Sequence, residues 1–445
     1  MDRLPLELLR DCFEGMVPSI LATCDARRTP NVSLISQVHY VDSERVALSY
    51  QFFNKTRRNL LETRKASVGV VDPLTLAEYR LDLRYEETRT TGALFESMKA
   101  KLAGIASHTG MQGVFSLRGA DIFRVAAVTP MRPPVQMPPP SARNLLSAVR
   151  RTCAELGGCA DLGELFDRTL ACLARHFGVG NAMLLMLDEA AGRLYTVAST
   201  GYPRSGIGSE VAFGEGVIGV AARERAPIRI GNMTADYGYG AAIRGEAGEA
   251  GTTEIPYPGL AAPESQIAVP VVSGGRLLGV LFAESAEAMR FRYGDEDALA
   301  VVADRLGSLI RLVQQGDAAP AAAPAAAADP DRRPIVVRYY PADDSVFLDH
   351  DYLIKGVAGA IFWKLVREHA RGRVDFTNRE LRLDRALRLP EHAENLEARL
   401  VLLERRLRER GGAIRIEKSG RGRFRLGVDA PLTLEEMRAP PGAQA

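Results

Sequence analysis

Two stretches of the chain cannot fold into anything compact, and they decide how the rest is divided. Residues 130–141 read PMRPPVQMPPPS and residues 316–334 read GDAAPAAAPAAAADPDRRP. Proline locks φ and removes a backbone donor, so such runs make extended connectors rather than cores. They leave segments 1–132, 142–315 and 335–438, with 316–334 as an Ala/Pro linker, and each segment has the size of an ordinary domain. A content of 46% hydrophobic and 25% charged residues suits globular domains, and a formal net charge of +2 says nothing for bulk attraction to nucleic acid, so only local clusters can. Five cysteines without metal-ligand spacing read as reduced thiols. No signal-like N-terminus and no apolar run of bilayer length are seen, so a cytoplasmic protein with no membrane contact is expected.

In the first segment, residues 19–25, 31–40 and 46–52 are short alternating runs separated by turn residues, an antiparallel meander. The third run turns at Asn54 into a helix that begins Lys55-Thr56-Arg57-Arg58. Cations, a hydroxyl and the free N–H groups of a helix start meet within one turn, which is the chemistry that holds a phosphate. A solvated basic helix start fits the same residues. The strand 66–72, the alternating run 79–91, a helix at 94–102 and a last strand at 119–128 complete a set of elements that suggests a small barrel. VPSILATCDARRTPNVSLISQVHYVDSERVALS and FFNKTRRNLLETRKASVGVVD resemble the pyridoxamine 5'-phosphate oxidase-like flavin-binding split barrels over the whole segment. The resemblance implies FMN held by Lys55, Thr56, Arg57 and Arg58, with Ser33 and Ser36 as weaker contacts, at a dimer interface. The Trp-Arg-Leu ending of the oxidases is replaced by Ile122-Phe123-Arg124-Val125, which argues against pyridoxine chemistry.

In the middle segment, Asp161 and Glu164 form a helix start, and Leu162, Leu165, Phe166, Leu170, Leu173 and Phe177 stripe the helix that follows. Strands at 266–272 and 277–284 flank Ser273-Gly274-Gly275-Arg276, a hairpin signal. Leu299, Val302, Leu306, Leu309 and Val313 recur along a final helix, either as packing on its own sheet or as a dimer seam. GEGVIGVAARERAPIRIGN and SQIAVPVVSGGRLLGVLFAES resemble the GAF family, an α/β sandwich with a small-molecule pocket under a loop. The resemblance implies a lid at 234–264 and ligand contacts from Asn232, Tyr237 and Tyr239, with Tyr257 also on the lid. The Asn-Lys pair of cyclic-nucleotide binders is broken here as Asn232-Met233. Cys153, Cys159 and Cys172 form no evident bilin or iron–sulfur arrangement.

In the last segment, short strands at 335–340 and 345–348 precede a helix at 357–369, a capped helix begun by Thr377 and Glu380, and a third helix at 391–410 striped by Leu396, Leu400, Leu403 and Leu407. A basic hairpin, with Lys418-Ser419-Gly420-Arg421-Gly422 at its tip, closes the segment. LERRLRERGGAIRIEKSGRGRFRLGV resembles the OmpR/PhoB-type winged-helix domains. The resemblance implies a recognition helix presenting Asn395, Arg399, Arg405 and Arg406 to DNA, and a wing whose Lys418, Arg421 and Arg423 meet phosphates. Glu391, Glu394 and Glu397 at the reading end are awkward for DNA, so a protein-binding winged helix stays open.

The expected fold is therefore multidomain α+β: split barrel, GAF sandwich, winged helix. No acid–base pair stands out and no metal-ligand set is read. The order of parts suggests a cytosolic, homodimeric one-component regulator that senses a flavin redox state or a small ligand and binds DNA. An FMN-dependent oxidoreductase with regulatory domains, or a signalling adaptor whose winged helix binds protein, would carry the same parts.

Overall fold

The computed structural model describes residues 4–13, 17–35, 37–50, 54–108, 117–135, 144–231, 255–315, 333–384, 387, 396–420 and 422–437. Ser36, Asn232, Tyr237, Tyr239, Asn395 and Arg421 lie outside them, as do the Ala/Pro linker from 316 to 332 and most of the expected lid.

The N-terminal part opens with a 3-10 helix, Leu6–Phe13, whose Leu6, Leu9 and Phe13 are buried. Strands β1 (Ser19–Cys24), β2 (Pro30–Ile35), β3 (Val38–Tyr40) and β4 (Arg45–Tyr50) follow. Helix α1 (Asn54–Thr63) comes next, then β5 (Lys65–Val71), β6 (Glu78–Arg89), helix α2 (Ala93–His108) and β7 (Gly119–Arg132). The seven strands make one antiparallel sheet in the order β2-β1-β5-β6-β7-β4-β3. The expected single strand over 31–40 is two strands, because the chain leaves β1 after Ile35 and pairs with β4 from Val38. Alternation supplies the core: in β5, Ala66, Val68 and Val70 are buried and their neighbours are not.

The middle part contributes helices α3 (Leu145–Leu156) and α4 (Leu162–Phe177), strands β8 (Asn181–Asp188), β9 (Arg193–Thr200) and β10 (Glu210–Ala212), helix α5 (Gly216–Glu224), strands β11 (Ile228–Ile230), β12 (Ser265–Ser273) and β13 (Arg276–Ser285), and helix α6 (Tyr293–Gln315). The sheet order is β10-β9-β8-β13-β12-β11. Asp161 caps α4 by accepting from the Glu164 N–H at 3.0 Å, as its spacing implies. Gly279 in β13 lies where a Cβ would sit 2.1 Å from the Leu185 carbonyl oxygen, so only glycine lets β13 approach β8 there. Helices α3, α4 and α6 cover one face of the sheet and α5 the other. The stripe Leu299, Val302, Leu306 and Leu309 is buried in the chain's own core, which leaves Val301 and Leu312 as the exposed apolar residues of α6. A homodimer would need another surface than that stripe.

The C-terminal part has strands β14 (Ile335–Tyr340), β15 (Ser345–Leu348) and β16 (Asp351–Ile354), helix α7 (Gly356–Ala370), β17 (Asp375–Thr377), helices α8 (Asn378–Leu383) and α9 (Leu396–Glu409), the hairpin β18 (Ile414–Gly420) and β19 (Arg423–Val428), and β20 (Leu432–Glu436). β20 returns to pair in parallel with β14, and β17 joins the hairpin as a third strand. Thr377 caps α8 by accepting from the Glu380 N–H at 3.2 Å.

The three parts pack together. The core of the C-terminal part is continuous with the helical face of the middle part. Tyr293 at the start of α6 enters the core of the N-terminal part, and Arg10 pairs with Asp297 beside it. Among the described residues no helix is long and apolar enough to cross a membrane. All five cysteines are thiols.

Candidate functional site

Helix α9 is buried on nearly every side. Its stripe Leu396, Leu400, Leu403 and Leu407 serves its own domain, but Ala398, Arg399, Val401, Leu402, Arg405 and Arg406 are buried as well. The second face packs on α4 and β9 of the middle domain: Val401 lies near Gly163, and Leu402 near Gly208. Two guanidiniums enter that contact. The Arg405 fork donates to the Val197 carbonyl at 2.7 Å, the Gly163 carbonyl at 3.2 Å and the Asp167 carboxylate at 2.7 Å. Arg399 pairs with Asp188 at 3.0 Å and lies over the Tyr195 ring. From the hairpin, Lys418 pairs with Asp161 at 2.8 Å. Arg406 instead serves its own domain, donating to the Leu353 carbonyl and pairing with Glu409.

Arg399 and Arg405 therefore do not face solvent, and Arg406 is only 6% exposed. The expected outward basic helix is absent in this conformation, for a physical reason. A buried guanidinium needs acceptors for its donors, and carboxylates at Asp167 and Asp188 together with two carbonyls supply them. Burial opposes ionisation of Asp161, but the Lys418 ammonium and the N–H groups of the α4 start outweigh it and hold its pKa below the ordinary carboxylate value. Arg423 is exposed. Next to the contact a cleft of about 380 Å³ opens between the middle domain and the end of α9, lined by Arg204, Ser205, Tyr352, Arg406, Glu409 and Arg410.

The residues of the N-terminal part expected to hold a phosphate are brought together in part. Thr56 is buried, with its hydroxyl 2.8 Å from the Ser33 hydroxyl and accepting from Asn31 at 2.9 Å. Asn31 was not anticipated; its place opposite Thr23 on the β1–β2 ladder puts it beside α1. Arg57 is ion-paired with the buried Asp121 and lies over the Tyr50 ring. Burial works against its charge, but the Asp121 carboxylate outweighs that and raises the Arg57 pKa. Thr88 donates to the same carboxylate at 2.5 Å and meets the Tyr85 hydroxyl at 2.7 Å. Lys55 and Arg58 point to solvent. The space between these groups is about 10 Å³, the room of one water. Thr56 and Arg57 are already satisfied inside the chain, Arg57 by the buried Asp121 carboxylate. This arrangement does not fit an FMN phosphate.

In the middle domain the face of the sheet beneath α5 is filled by Met183, Leu185, Val217, Ile218, Val280 and Phe282. Of the expected lid, Tyr257 packs edge-on against Phe282 with ring centres 6.5 Å apart. The buried Glu284 carboxylate accepts from the Leu260 N–H at 2.7 Å and from Gln266 at 3.0 Å, which ties the end of the lid to the sheet.

Among solved structures, the chain is similar to the GAF domain of a phosphoenolpyruvate-protein phosphotransferase from Coxiella burnetii, at 21% identity, covering 38% of this chain and 95% of that one with a TM-score of 0.30. A free methionine-R-sulfoxide reductase from Neisseria meningitidis, in complex with its substrate, matches at 21% identity over 39% of this chain and 95% of that one, TM-score 0.31. An FMN-binding protein from Syntrophomonas wolfei matches at 18% identity over 30% of this chain and 92% of that one, TM-score 0.23. The search of curated proteins finds no match. The family description "GAF domain" matches residues 159–311. Residues 159–311 thus form a GAF domain, a sensor and regulatory type of module, in the middle of the chain.

Proposed function

We propose that the chain is a cytoplasmic regulator whose C-terminal part is a winged helix for DNA, held closed by the GAF domain. The observation that carries this reading is the clamp: Arg399, Arg405 and Lys418 of the C-terminal part engage Asp188, Asp167 and Asp161 of the GAF domain. These carboxylates engage cations that would otherwise be available to DNA, so the two engagements compete. Three helices followed by a basic hairpin support the winged-helix assignment. A signal that separates α4 and β9 from α9 would release the cations. The barrel then acts as a second input or as a docking body against α6. An oxidoreductase is less well supported, because Thr56 and Arg57 are engaged within the chain.

Selection of duplexes from a random pool with the variant Asp161→Asn/Asp167→Asn/Asp188→Asn tests the output. An enriched sequence whose retention falls with salt is expected. If no duplex is retained at low salt, the C-terminal part binds something other than DNA.

A further inference from the structure

We propose that Glu155, Cys172 and His176 form a binding site for a late first-row divalent metal, with Zn²⁺ as the best-suited ion. Cys172 and His176 stand four residues apart on α4, so their side chains share one face, and Glu155 reaches them from the end of α3. One ligand atom from each lies within 4.8 Å of the others. The Glu155 carboxylate sits 3.4 Å from the Cys172 sulfur and 2.7 Å from the His176 Nε2. Ligands on a tetrahedral Zn²⁺ lie roughly 3.3–3.8 Å apart, so small rotamer shifts bring the three into range.

The donor set chooses the ion. A thiolate and an imidazole suit Zn²⁺, Co²⁺ or Ni²⁺, whereas Mg²⁺ and Ca²⁺ prefer oxygen alone. Cys172 is fully buried, and the His176 and Glu155 side chains are 10% and 28% exposed, so the site is enclosed with entry from the Glu155 side. Arg175 holds the same carboxylate at 3.1 Å but is 61% exposed, so it can swing into water as a cation arrives. A buried thiol of this kind is a poor nucleophile for an external substrate, which leaves binding as the chemistry the cluster can do. The bound ion would staple α3 to α4, and its fourth position would be filled by water. The site uses no residue of the C-terminal part, and the proposal stands whether or not that part binds DNA.

The test uses the full-length protein, freed of metal and titrated with Co²⁺. One equivalent should bind and produce a thiolate-to-cobalt absorption band in the near ultraviolet. Cys172→Ser should abolish the band, His176→Gln should weaken binding at least tenfold, and Cys159→Ser should leave both unchanged. Far-ultraviolet circular dichroism confirms that each variant is folded, and Cys172→Ala serves if the serine variant is not. Absence of a stoichiometric thiolate band in the folded wild type, or a band that survives in Cys172→Ser, overturns the site and leaves an ion-pair cluster only.

Discussion

Replacing Asp188 by asparagine is the cleanest way to weigh the clamp. The Arg399 side chain is 8% exposed and that of Asp188 18%, at 3.0 Å. In the closed state Asp188→Asn leaves a buried guanidinium facing a neutral amide. In the open state Arg399 is hydrated and feels no loss. Losing the carboxylate partner of a buried charge costs about 1.5–3 kcal/mol. The ratio of closed to open molecules should therefore fall roughly 10- to 150-fold, at about 1.4 kcal/mol per decade. Val401 reports the change, because it is 5% exposed and lies against Gly163 across the contact. In a Val401→Cys background, the alkylation rate of that thiol, followed by peptide mass spectrometry, is proportional to the open fraction. Asp188→Asn should raise the rate by the factor above. Asp167→Asn should raise it less than about fivefold, since Asp167 is 71% exposed and Arg405 keeps two carbonyl acceptors. Equal rates in wild type and Asp188→Asn, or a larger effect from Asp167, would refute the reasoning.

Three further outcomes follow from other parts of the molecule. The Asp161 pKa is lowered in the folded chain, so its contribution is present above the ordinary aspartate pKa and is lost as pH falls through the folded value; thiol labelling in the Val401→Cys background, run with an acid-tolerant reagent, should accelerate below about pH 4 in wild type more than in Asp161→Asn. Gly359 on α7 lies where a Cβ would sit 1.9 Å from the Asp344 carbonyl oxygen, so Gly359→Ala should cost about 1–3 kcal/mol or more, read as an earlier urea midpoint of Trp363 fluorescence. Purified wild type should take up no stoichiometric FMN, seen as no bound flavin absorbance after gel filtration; one equivalent bound would show that the Arg57–Asp121 pair opens to admit a phosphate.

Much of the fold was legible because local signals agree with the global one. Asp161 and Thr377 cap the helices their spacing announces, and Ser273 to Arg276 turns the hairpin between β12 and β13. The strands that escaped notice are short: β10, β16 and β17 have three or four residues, too few to show alternation. β20 was missed for another reason, since Leu432–Glu436 is held by pairing with β14, a partner about a hundred residues away. The seven-strand order of the N-terminal sheet rests on such distant pairings too. Cations on α9 were visible, but a cation meant for a phosphate and one meant for a carboxylate of the same chain look alike in sequence. Only the fold brings Asp167, Asp188 and the Val197 carbonyl against them. At Arg57 the ambiguity is the same, with Asp121 arriving from β7. The Cys172–His176 spacing was a readable hint of one shared helix face, but Glu155 completes the cluster only through the crossing of α3 and α4.

The gating of the C-terminal cations by the GAF domain is tested most directly by fluorescence anisotropy on one labelled duplex, with wild type and Asp161→Asn/Asp167→Asn/Asp188→Asn side by side across a salt series. The account predicts at least tenfold tighter binding by the variant, with affinity falling steeply as salt rises and abolished by adding Lys418→Glu and Arg423→Glu. Equal affinity of wild type and variant would contradict it.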